Sequence, residues 1–115
     1  MPHVVLNGKV YIKDIFDKVD PLFVRNGVFI LKTSNTYIDR EEKSILIESL
    51  VIEEGNKTSF FTMISRREDG ILVRIYPDSE VEKTDGVKRI LAETAKQLLE
   101  KFPDLRVGKT NLSDL

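Results

Sequence analysis

The sequence predicts an α+β fold: a four- to five-stranded, mainly antiparallel sheet with a short N-terminal helix and a long C-terminal helix packed on one face. Three observations carry this expectation. Residues 43–76, KSILIESLVIEEGNKTSFFTMISRREDGILVRIY, hold three strand-like runs joined by two short turn signals. Ile12, Ile15, Phe16 and Val19 recur at helical spacing near the N-terminus. Val87, Ile90, Leu91, Ala95, Leu98 and Phe102 do so near the C-terminus. At 115 residues the chain fits one domain, residues 1–115, large enough to bury a core without metal or disulfide staples.

The elements follow in chain order. Val4, Val5 and Leu6 can form a short strand before Asn7-Gly8, a dipeptide that tolerates tight turns. The first helix carries Lys13, Asp14, Asp17 and Lys18 on its wet side and stops at Pro21. Leu22 to Lys32 reads as a hairpin around Asn26-Gly27, with one long kinked strand as the alternative. The polar stretch from Thr33 to Glu42 is expected to be a connection at the sheet rim.

Two-residue loops at Gly55-Asn56 and Asp69-Gly70 would register the three central strands, setting Val51 opposite Phe60, Leu50 opposite Phe61 and Ile64 opposite Ile75. Alternation then sorts the side chains. One face gathers Ile45, Ile47, Val51, Phe60, Ile64, Ile71, Val73 and Ile75, the expected core. The other holds Leu46, Leu50, Ile52, Phe61, Met63, Leu72 and Tyr76, with Arg67 and Arg74. After Tyr76-Pro77, Ser79-Glu80-Val81-Glu82 matches a capping box, with Asp85 as the other candidate start of the long helix. Pro103 ends that helix, and Leu105-Arg106-Val107 can add an edge strand.

The order helix, strands, Tyr76-Pro77, helix is similar to that of RWD-type interaction domains. Tyr76-Pro77 alone carries that likeness, and no family is assigned from it.

Composition excludes several kinds of chemistry. There is no cysteine, which removes disulfides, thiolate catalysis and cysteine zinc sites. Hydrophobic residues make up 41% and charged residues 32%, a globular balance. The N-terminal stretch lacks a signal-peptide pattern, and no apolar run approaches the ~20 residues a membrane helix needs, so a cytoplasmic protein is expected. Many charged residues and a single glutamine, Gln97, fit a thermophilic source. Eighteen basic against nineteen acidic residues leave a net charge of −1, which weakens the case for a nucleic-acid partner.

The chemical motifs are imitations. Val107-Gly108-Lys109-Thr110 resembles the end of a P-loop, but Pro103 stands where a glycine is required. His3 is the single histidine and has no companion to share a metal. Asp14 with Asp17, and Asp39 with Glu41 and Glu42, read as solvated carboxylates. Asp85 to Arg89 offers amides and two cations at a helix start, as many helix starts do. No cofactor and no enzymatic activity are expected.

The second sheet face remains. Leu50, Phe61, Met63, Arg67, Arg74 and Tyr76 combine the aromatic, methionine and arginine residues enriched at interfaces. The sequence therefore predicts a non-enzymatic protein-interaction module, homodimeric or part of a larger assembly, docking through this face. The alternatives are an RNA platform on the same residues and a small-ligand carrier. Cover of that face by the chain's own N-terminal third is the competing expectation.

Overall fold

The computed structural model describes residues 1–77, 80–113 and 115. Its elements run β1 (His3–Asn7), α1 (Ile12–Lys18), β2 (Phe23–Asn26), β3 (Phe29–Ile38), β4 (Ser44–Glu53), β5 (Asn56–Arg67), β6 (Gly70–Ile75), α2 (Asp85–Lys101) and β7 (Arg106–Thr110). All seven strands join one antiparallel half-barrel sheet in the order β2-β3-β4-β5-β6-β1-β7.

The α+β class and the antiparallel pairing are as expected, but four to five strands was too few. Two short strands, β1 and β7, carry the sheet past that number, and β3 is longer than its own pattern shows. Val4 to Leu6, too short to stand alone, is completed by pairing with β6 on one side and β7 on the other. The β7 strand takes its partner from β1, a sequence separation that no local pattern reveals. Thr33 to Ile38 is strand rather than rim connection, with an irregularity between Thr33 and Thr36 absorbing its polar residues. Ladder pairing outweighs local propensity in each case.

The central turns also differ. The loops are Glu54-Gly55 and Glu68-Asp69, since Glu53 pairs with Asn56 and Arg67 with Gly70. Glu54 and Gly55 have φ of 49° and 82°, as a type I′ turn demands. Gly70 serves another purpose: a Cβ there would collide with the Leu6 carbonyl oxygen, so glycine lets β1 approach β6. Each register is displaced by two residues from the expectation, so Val51 faces Thr58 and Ile64 faces Val73. A two-residue displacement preserves side-chain parity, and both faces keep their members.

The core face is as patterned. Ile45, Ile47, Val51, Phe60, Ile64, Ile71, Val73 and Ile75 are all buried beneath α1 and α2. Full burial of such side chains contributes roughly 1.5 to 3 kcal/mol each. Two polar residues share this layer: the Ser49 and Thr62 hydroxyls meet at 2.7 Å, and Ser49 also donates to the Ile47 carbonyl. Ile12 and Ile15 place α1 on the same core, and Asp20, just beyond that helix, is tied to α2 by Lys101 at 2.7 Å.

Helix α2 starts at Asp85, the second of the two candidate starts, while Ser79 of the supposed capping box lies outside the described residues. Thr84 is the N-cap and accepts from the Val87 amide. Glu53, at the end of β4, accepts from the Gly86 amide at 2.9 Å and the Thr84 hydroxyl at 2.6 Å. Among the described residues no helix is long and apolar enough to cross a membrane.

Candidate functional site

With both helices on the core face, the opposite face is the candidate site. The N-terminal third does not lie across it: α1 packs into the core, and the β2-β3 hairpin extends the sheet sideways. The face is therefore built by register alone. Lys32, Leu50 and Ser59 form one row across β3, β4 and β5, and Arg25, Ile30, Ile52 and Lys57 form the row beside it. Glu48 and Phe61 form the next row, which Tyr76 joins by donating its amide to the Phe61 carbonyl at 2.8 Å. Tyr37, Leu46, Met63 and Arg74 form the row after that.

The six expected site residues thus divide. Leu50, Phe61 and Tyr76 line one cleft of about 550 Å³. Met63 and Arg74 are cross-strand partners in the neighbouring row, and Arg67 stands at the far end of β5 opposite Gly70. Phe61 is 37% exposed, whereas Leu50, Met63, Arg74 and Tyr76 are half-buried. Arg74 Nε is screened from solvent and has no hydrogen-bond partner among the described residues.

Register also reveals what the sequence reading missed. Strands β2 to β6 place five cations on this face, Arg25, Lys32, Lys57, Arg67 and Arg74, against one carboxylate, Glu48. The chain as a whole carries 18 basic and 19 acidic residues, so charge is segregated. Among the described residues no carboxylate forms an ion pair with any of the five. The signal was available in the alternation of β5, where Lys57, Phe61, Met63 and Arg67 share parity, but β2 and β3 could not be added without their pairing.

Glu48 is itself engaged. It accepts from the Tyr37 hydroxyl at 2.7 Å and, at 3.3 Å each, from Ser34 and Asn35, which the irregularity in β3 brings over it. The bond to Glu48 holds the Tyr37 phenol above its ordinary titration range.

The motifs set aside as imitations have structural roles. Val107 to Thr110 lies in edge strand β7, without the loop a phosphate cradle requires. The amides at the start of α2 already meet an anion, Glu53. Asp39 accepts from the Ser44 and Lys43 amides, which fixes a turn and lowers its carboxyl pKa. Asp17 pairs with Lys13 at 2.6 Å. His3 lies in β1, its ring nitrogen 3.0 Å from the Met1 carbonyl oxygen, and the described residues hold no cluster of three or more metal-ligating side chains.

No family profile matches the chain, and no solved structure matches it. A stretch of 60 residues, 52% of the chain, is 38% identical to part of the tRNA (guanine-N(7)-)-methyltransferase of Aquifex aeolicus. The matched stretch amounts to 20% of that enzyme, so the chain spans about a fifth of the length of the curated relative it matches.

Proposed function

We propose that the chain is a non-enzymatic RNA-binding module whose working surface is the uncovered sheet face. The observation that carries this reading is charge segregation: five cations and one carboxylate share a face with Phe61, Tyr76 and Tyr37, on a chain that is nearly neutral overall. Aromatic rings stack on bases and cations meet phosphates, which is how sheet platforms hold single-stranded RNA. The likeness to part of a tRNA-modifying enzyme supports the same partner class. The described sheet is antiparallel throughout, which supports a binding role over a Rossmann-type cofactor site built from parallel βαβ units. Binding of a labelled single-stranded oligoribonucleotide at low salt, weakened in Arg67→Ala with Arg74→Ala, is the expected result. No binding at low salt overturns the proposal.

Protein docking through the same face is the second reading, favoured by the apolar residues Leu46, Leu50, Met63 and Leu72, all only half-buried. A homodimer is its simplest form. Light scattering after size-exclusion chromatography decides it: a dimer dissociated by Met63→Glu supports docking, and a monomer at high concentration rejects self-association.

A further inference from the structure

The cleft on the uncovered face has two chemically distinct ends. At one, Lys32 and Lys57 stand in adjacent rows, both exposed. At the other, Phe61 and Tyr76 are joined through the backbone, with Leu50 between the two ends. Rows on one face lie two residues apart, about 7 Å, so the cationic and aromatic ends are separated by one to two such steps. The volume, about 550 Å³, lies within the range of small-molecule sites. We infer that this cleft holds a single unstacked nucleotide, its phosphate toward Lys32 and Lys57 and its base against Phe61 and Tyr76. This inference rests on the RNA-binding reading and adds the site and the base preference.

The base preference comes from Glu48. A carboxylate offers about four acceptor positions and no donor. Tyr37, Ser34 and Asn35 occupy three of them and hold the group in place. The remaining position suits a base that presents an amino group: cytosine, adenine or guanine. Uracil flanks its one N–H with carbonyl oxygens, which the carboxylate repels. The cleft therefore discriminates against uracil, even though its cations and aromatic rings serve any nucleotide alike.

The test is an amide-resonance titration of the full chain with CMP, AMP, GMP and UMP, with inorganic phosphate as the control. The three amino-bearing nucleotides are expected to shift the amides of Lys32, Leu50, Ser59, Phe61 and Tyr76 saturably, and UMP to bind several-fold more weakly. Phe61→Ala should weaken CMP about five- to 150-fold, as loss of a stacking ring does, while Lys88→Ala, on the exposed side of α2, leaves CMP unchanged. Glu48→Gln should erase the preference of CMP over UMP. Shifts reproduced by inorganic phosphate, shifts scattered outside the cleft, or a preference of CMP over UMP equal in wild type and Glu48→Gln overturn the inference. An oligoribonucleotide that binds while no mononucleotide does rejects the pocket and leaves the RNA-binding face standing. Mononucleotide shifts confined to the cleft without oligoribonucleotide binding support the pocket and reject the platform.

Discussion

Salt dependence offers the sharpest test of the RNA-binding face, because its magnitude follows from a count of side chains. Each phosphate neutralised on a single strand contributes a slope of about −0.7 to log K against log salt concentration. If all five cations of β2 to β6 engage phosphates, the slope is about −3.5, and raising salt from about 50 to about 200 mM weakens binding roughly 100-fold. Removing two cations in Arg67→Ala with Arg74→Ala reduces the slope to about −2, and the same salt step then costs roughly 20-fold. Lys88→Ala with Arg89→Ala removes equal charge from the exposed side of α2 and should leave the slope unchanged. Fluorescence anisotropy of a labelled oligoribonucleotide across a salt series measures all three proteins. Equal slopes in all three, or equal losses in both double variants, refute the argument: net charge would then govern binding and the face would not.

Other substitutions test how the face is held. Gly70→Ala should destabilise the fold by about 1–3 kcal/mol, because its new methyl meets the Leu6 carbonyl oxygen. Gly55→Ala, strained only by its φ of 82° in open space, should cost about 1 kcal/mol. Urea unfolding with an unchanged slope separates the two. Thr84→Ala removes both the N-cap bond to the Val87 amide and the bond to Glu53, and should cost about 1–2 kcal/mol in the same assay. Tyr37, the hydrogen-bond donor to Glu48, should titrate above its ordinary value of 10.0, visible as phenolate absorbance lost in Tyr37→Phe and shifted down in Glu48→Gln. Its stabilising contribution is then fully present below that ordinary value and disappears as pH rises through the raised one. Asp39 behaves oppositely: backbone donors lower its pKa, so its contribution is present above 3.8 and is lost as pH falls through the lowered value.

The fold was legible where a segment's own pattern decides its structure. Helix α2 shows its period over 17 residues, and β4 alternates buried and half-buried side chains along most of its length. Neither depends on what lies elsewhere. The elements whose pairing or extent local pattern leaves open are of the opposite kind. Strand β1 has three buried apolar residues and owes its place to neighbours more than 60 residues away. The second half of β3, TSNTYI, is too polar to announce a strand; an irregular step and the β4 ladder recruit it. Turn chemistry misplaced both central loops by one residue, which displaces each register by two. The left-handed pair is Glu54-Gly55, with a glutamate where asparagine or glycine is the usual signal. Gly70 looks like a turn residue but is required for the close approach of β1.

Those displacements explain why the composition of the site was readable and its arrangement was not. A shift of two residues keeps every side chain on its face, so the uncovered face could be named from alternation alone. The same shift changes every neighbour. Phe61 was expected beside Leu50 and instead faces Glu48, while Met63 faces Arg74. An aromatic ring beside a carboxylate, with two lysines one and two rows away, is a cleft with polarity; the expected arrangement was an apolar patch with arginines at its margin. The two arrangements favour different partners, the apolar patch another protein and the polarised cleft a nucleotide. Pairing register, more than residue content, therefore decides which partner this face suits.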